Sequence, residues 1–406
     1  MTAPAAPAPF PSGFLIGAST AAHQIEGNNT ASDWWSLENS GSALVKEPSL
    51  DAADSLHRWP DDLDLVAELG FDSYRFSIEW ARIEPVPGRI SAAMVQHYGR
   101  IIEGCRVRGI EPVVTLHHFT VPRWFQAAGS WTADDATERF LRYVDALRAI
   151  LEPVRWAVTI NEPNIAAVMS RFSTARKGDD VDAGHDLPGV PLPAPHGATT
   201  AGFIEAHHAA TDLLHEQHPE MKVGWTVASQ AIGSIPGGED VAARWFDQVE
   251  GQFLRESTGD DFVGVQSYTR NVIGPDGAVR DDPEEDRTLT GWEYWPAALE
   301  QAVRDARRVV GDVPILVTEN GIATDDDERR IDYTSAALAG LQRAMADGID
   351  VRGYLHWSLL DNYEWGSYRP TFGLASWDPA TFDRTAKPSA RWLGAVARSP
   401  RLDPSP

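Results

Sequence analysis

A chain of 406 residues is long enough for one large α/β barrel or for two to three average domains. Its 43% apolar content supports a large core, and 15 tryptophans exceed what that core needs, leaving flat rings to wall a pocket for ligands with apolar faces. The formal charge of −24 repels phosphate backbones and anionic lipid, which excludes nucleic acid and membrane surfaces as expected partners. The single cysteine, Cys105, cannot form an internal disulfide and sits in an amphipathic stretch where a small buried side chain suffices. MTAPAAPAPFPSGF has neither a basic start nor a long apolar run, so residues 1–9 are expected to be a flexible tail. No segment reaches the roughly 18 uninterrupted apolar residues of a membrane span, and a cytoplasmic location is the expectation.

In chain order, short β-rich runs alternate with helical periodicity. Strands are predicted at FLIGAS (14–19), SYRFSIE (73–79), PVVTLHH (112–118), RWAVTIN (155–161), KVGWTVA (222–228), DFVGVQSY (261–268), PILVTE (314–319) and VRGYLHWSL (351–359). Helices are predicted at 59–70, 136–151, 206–218 and 333–348. Apolar strands each followed by a helix belong to a parallel sheet buried on both faces, and eight such units fit one closed (β/α)8 TIM barrel. One domain over 10–398 with a C-terminal tail at 399–406 is expected. Irregular inserts are expected after strand four, about 170–202, and strand six, about 271–290. In this fold active sites sit at the C-terminal ends of the strands, so the polar residues there matter most.

Strand four ends in Asn161-Glu162-Pro163 and strand seven in Thr318-Glu319-Asn320-Gly321. A residue before proline is disfavoured in helical geometry, so Glu162 is expected to stay extended at the rim. Asn320-Gly321 is turn chemistry that stops strand seven behind Glu319. Each acid alone reads as a helix cap, but two acids from opposite strands suit a pair of carboxyl groups about 5–5.5 Å apart, as a retaining glycosidase requires.

With these residues in place the chain resembles the family-one glycoside hydrolases, the β-glucosidase family, along most of its length. The resemblance is carried by FLIGASTAAHQIEG, YRFSIEWARI, TINEP, VTENG and HWSLLDNYEW in order. It implies that Glu162 is the acid/base and Glu319 the nucleophile of a double displacement on a small β-glycoside, with no cofactor and no metal. It further implies that Gln24, His118, Asn161, Trp357, Glu364 and Trp365 bind the sugar, and that Arg75 and Tyr268 support the nucleophile. The sugar is expected to be glucose, with galactose or fucose tolerated. An arginine in a buried strand needs an acid partner, which independently points Arg75 at Glu319. Departures from the family pattern are Phe119 in place of tryptophan, Gln266-Ser267-Tyr268 in place of Asn-Tyr-Tyr, and a segment between Trp365 and Phe372 that is one residue short. A transglycosidase on the same site and a catalytically silent sugar-binding barrel are the alternatives. Glu364 would repel a 6-phosphate, which disfavours phosphorylated sugars.

His207, His208, His215 and His218 lack a completing ligand set for a metal, and the acidic runs 281–286 and 325–328 read as solvated loops.

Overall fold

The computed structural model describes residues 9–42, 45–174, 193–279 and 286–399. The expected tails at 1–9 and 399–406 fall almost wholly outside the described residues, as does most of the acidic run 281–286.

Eight parallel strands close into a barrel: β1 (Leu15–Ser19), β2 (Ser73–Ser77), β3 (Glu111–His117), β4 (Trp156–Asn161), β5 (Lys222–Ala228), β6 (Val263–Gln266), β7 (Ile315–Asn320) and β8 (Val351–Trp357). Each pairs with its neighbours in sequence, and β8 closes onto β1. All eight predicted strands are present, most of them a residue or more shorter at one or both ends. The second, for example, stops at Ser77 because Glu79 caps the short helix Trp80–Ile83 by accepting the Ala81 N–H at 3.0 Å.

The principal helices are α1 (Ser55–Leu69), α2 (Ala92–Val107), α3 (Ala136–Ala146), α4 (Pro163–Thr174), α5 (Gly197–Gln217), α6 (Glu239–Phe246), α7 (Ala298–Val310), α8 (Asp327–Ala346) and α9 (Pro388–Ala397). They pack around the strands over the main core, in which Tyr98, Phe140, Tyr143, Trp225, Phe253 and Tyr333 are fully buried. A smaller apolar cluster of Val113, Val158, Phe262, Leu316 and Leu355 is separate from it.

Four predicted helix bounds need correction. Helix α1 begins at Ser55 and carries Pro60 inside it, rather than starting at Trp59. The stretch 136–151 breaks at Leu147 into two helices. Helix α8 starts at Asp327 with Asp326 as its N-cap, accepting the Glu328 N–H at 3.0 Å. The acidic run 325–328 is therefore a helix start, where carboxylates oppose the positive end of the helix dipole, and not a loop. The largest error is α5, which begins nine residues before the predicted 206.

The described parts of both expected inserts include regular structure. Helices α4 and α5 extend into the first from either side, while 175–192 lie outside the described residues. In the second, Asn271–Gly274 and Gly277–Val279 form a hairpin that joins Ile232–Ser234 in a three-stranded sheet.

Tertiary contact overrides low helix propensity at the start of α5. A Cβ on Gly202 would lie 2.1 Å from the Trp131 carbonyl oxygen, so only glycine permits that approach. Helix propensity alone predicts that Gly202→Ala stabilises by about 1 kcal/mol, whereas forcing that contact apart costs about 1–3 kcal/mol. The clash against rigid backbone dominates, and thermal unfolding of Gly202→Ala is expected to show a lower midpoint than the wild type.

Candidate active site

Strand register sets the site. Ser19 aligns with Arg75 on one side and Trp357 on the other, Asn161 aligns with Thr226, and Glu319 with Gln266. These residues stand at or near the C-terminal ends of their strands, so their side chains share one mouth. Strands β4 and β7 are three places apart around the ring, with β5 and β6 between them, rather than opposite.

At the centre lies Arg75, fully buried. Its Nη1 donates to Glu319 Oε1 at 2.5 Å, its Nη2 to Asn161 Oδ1 at 2.5 Å and its Nε to Thr115 Oγ1 at 2.9 Å. The Tyr268 hydroxyl donates to Glu319 Oε2 at 2.5 Å. Both oxygens of Glu319 are thus engaged. Asn161 Oδ1 also accepts from Gln266 Nε2 at 2.8 Å and Thr226 Oγ1 at 3.2 Å, which fixes the amide so that Nδ2 faces His118 Nε2 at 3.4 Å.

Aromatic side chains continue the wall. His118 stacks near-parallel with Trp357 and Trp365, at ring-centroid distances of 5.9 and 6.3 Å. Trp357 Nε1 donates to Glu364 Oε1 at 3.1 Å. Gln24, on the short helix Ala22–Ile25, donates to Asn362 Oδ1 and the Tyr363 carbonyl, both at 2.9 Å. Contact, stacking or electrostatic interaction therefore ties all ten sequence-predicted residues into one cluster, with Gln24 hydrogen-bonded to Glu364.

Glu162 differs from expectation in its backbone. Its φ is +43°, in the left-handed region, and not extended. Pro163 is the first residue of α4, where a missing N–H is harmless, and the Glu162 carbonyl accepts the Ala166 N–H at 2.9 Å. The proline does push its predecessor out of right-handed helix, but the chain enters α4 within one residue through a positive φ. Phe119 and Trp365 share this feature, with φ of +64° and +46°. Non-glycine residues persist there only when their surroundings over-determine them, and such positions cluster at functional sites.

The electrostatics separate the two acids. Burial raises Glu162 well above the usual carboxylate range, the charge of Glu319 raises it further and that of Glu364 adds to it, against a lowering by Arg75. Burial also raises Glu319, and Arg75 and the Tyr268 hydroxyl reduce that rise without cancelling it. A proton shared by the pair therefore resides on Glu162. Burial pushes Glu364 up to about 8, and it pushes His118 well down, which leaves that imidazole neutral. Such a cluster can deliver a proton from one carboxyl while a second, ionised and oriented, attacks carbon.

Thr115 and Thr226 have no place in the sequence reading of the site, and Gln266 enters it only as a departure from the family pattern. Their signal is that each is a buried polar residue directly after an apolar one in its strand. His207, His208 and His215 each pair with a carboxylate, Asp260 at 3.2 Å, Glu256 at 3.0 Å and Asp261 at 2.9 Å. Among the described residues no three His, Cys, Asp or Glu side chains gather as a metal site.

The model of Glycosyl hydrolase family 1 matches residues 6–258 and 263–401. The chain is 28% identical to β-glucosidase A of Thermotoga maritima, covering 97% of this chain and 99% of that one. It is 30% identical to a β-glucosidase of an Agrobacterium species, covering 96% and 95%. Among solved structures, β-glycosidase BGL167 superposes with a TM-score of 0.88 at 43% identity, covering 98% of this chain and all of that one. The Thermotoga maritima β-glucosidase in complex with glucoimidazole superposes with a TM-score of 0.87 at 27% identity, covering 97% and 100%.

Removing Arg75 strands Glu319 and Asn161 together. In Arg75→Met a loss of about 3–5 kcal/mol is expected, as for truncating one partner of a buried ion pair. Glu319, already raised by burial, would then hold its proton still more tightly in the folded state, so the variant loses more stability than the wild type as pH rises past the ordinary carboxylate value of about 4.3. Urea unfolding at pH 5 and pH 8 should show the larger deficit against wild type at pH 8.

Proposed function

Because the chain belongs to glycosyl hydrolase family 1 and is a glycoside hydrolase of the β-glucosidase type, we propose that it is an exo-acting, retaining β-glucosidase using Glu162 and Glu319. The observation that carries this reading is the asymmetry of the two acids. Glu319 has Arg75 and Tyr268 on its two oxygens, whereas Glu162 stands against the charges of Glu319 and Glu364. One group is prepared as an ionised nucleophile and the other as a proton donor.

In the first step a Glu319 oxygen attacks the anomeric carbon as Glu162 protonates the departing oxygen. The glycosyl ester that forms removes the charge of Glu319. Glu162, now relieved of that repulsion, is ionised more readily and takes a proton from water, which attacks the same carbon and releases Glu319. Asn161, fixed by three donors to its oxygen, offers its Nδ2 to the hydroxyl next to the reacting carbon. Gln24, His118, Glu364 and Trp365 hold the remaining hydroxyls, with Trp357 as the platform beneath the ring. The names of the curated relatives support glucose as the preferred sugar. Galactosides and fucosides are secondary substrates in this reading, since Phe119 offers no hydrogen bond where the family pattern has an indole. A panel of aryl β-glycosides varying only in the sugar tests the order, and absence of turnover on all of them would overturn the reading.

Glu319→Gln is expected to abolish turnover of every substrate, because no covalent intermediate can form. Glu162→Gln should spare the first step for aryl glycosides with good leaving groups while stalling the second, visible as a burst of phenol followed by slow release. The wild-type alkaline limb of kcat/KM should lie above the ordinary carboxylate range, because Glu162 must be protonated and its proton is held tightly. In Glu162→Gln that limb should vanish for the good leaving groups.

A further inference from the structure

A second buried pair of ionisable groups lies beside the pocket, and the chemistry above does not use it. His23, in the residue before Gln24, has its Nε2 2.8 Å from Glu38 Oε1, and both side chains are wholly buried. Its Nδ1 faces Asn29 Nδ2 at 3.0 Å, so the ring is fixed at both nitrogens. The other oxygen of Glu38 accepts the Ser49 N–H at 3.0 Å and the Ser49 hydroxyl at 2.7 Å.

The His23 ring lies parallel to Trp365, 4° between planes and 5.7 Å between centroids. Trp34 and Phe119 meet the same indole edge-on, at 5.0 and 5.1 Å. The contacts close into a circuit. The Ser49 carbonyl accepts the Tyr368 hydroxyl, and the Gly366 carbonyl accepts the N–H groups of Lys46 and Glu47 at 2.9 and 3.1 Å. Trp365 therefore sits inside a loop of chain whose far side is anchored through Ser49 to Glu38 and whose near side is His23. A bulky residue at φ +46° is held only by such surroundings.

We propose that His23, clamped by Glu38, is a positioning residue for Trp365, setting the plane of the indole at the sugar pocket without touching the sugar. The proposal rests on the reading of Trp365 as a sugar-binding residue. Its energetic signature is specific. Misplacing Trp365 weakens binding of ground state and transition state alike, so KM rises while kcat holds. A group that acts only through Trp365 must also lose its effect once Trp365 is gone.

The test is a double-mutant cycle on a p-nitrophenyl β-glucoside. His23→Ala is expected to raise KM about tenfold with kcat changed less than about threefold. His23→Phe, which keeps a flat face but not the Glu38 bond, should lie between Ala and wild type. In a Trp365→Ala background, His23→Ala should leave KM unchanged. Glu38→Gln provides the same cycle should His23→Ala fail to fold, and its expected KM effect likewise vanishes without Trp365. An unchanged KM in the single variants, or equal effects with and without Trp365, would overturn the proposal. Wild-type enzyme inert on the glucoside would instead sink the functional reading, whereas active wild type with silent His23 and Glu38 variants would sink this proposal alone.

Discussion

A buried guanidinium joins four strands of the barrel at the point where chemistry is expected. Arg75 on β2 reaches Thr115 on β3, Asn161 on β4 and Glu319 on β7, spending all three nitrogens on hydrogen bonds. Taking such a charge out of water is expensive unless a partner of opposite sign and full hydrogen bonding replace the water. Once that requirement is met the relative heights of four strand ends are constrained. The mouth of the barrel cannot shift register without breaking at least one of those bonds.

The rest of the site follows from that constraint. Asn161 has no freedom to flip, because three donors converge on its oxygen. Glu319 has its two oxygens assigned, one to Arg75 and one to Tyr268. Glu162 receives no such support among the described contacts, and the repulsion of two neighbouring carboxyls falls on it. The same burial raises all three acids, and the direct contact with the guanidinium opposes that rise at Glu319. Strain is distributed around the pocket as well, at Phe119, Glu162 and Trp365, where positive φ is held by packing rather than by glycine.

Much of this was readable from residues alone, for identifiable reasons. Continuous apolar runs such as those of β3 and β4 mark strands buried on both faces, and their eightfold recurrence with helices between specifies a barrel. An arginine within SYRFS and two acids at strand ends imply one another, because a buried charge demands its counter-charge. The start of helix α5 is not legible in the sequence because Gly197, Thr199, Thr200 and Gly202 carry weak helix propensity, and the close approach that requires Gly202 is to Trp131, some seventy residues earlier. The hairpin at 271–279 was misread because its partner strand, Ile232–Ser234, lies beyond the whole of α6.

Sequence by itself determined the barrel, the two acids and the cation that serves one of them, since periodicity and charge pairing are local or pairwise properties. Tertiary structure alone decided that Glu162 turns through a left-handed residue, and that Thr115, Thr226 and Gln266 complete the polar lattice. It also decided that His23 and Glu38 brace Trp365 from behind. Those outcomes depend on desolvation and on several groups converging at one point, and neither quantity exists until the strands have been brought together in register.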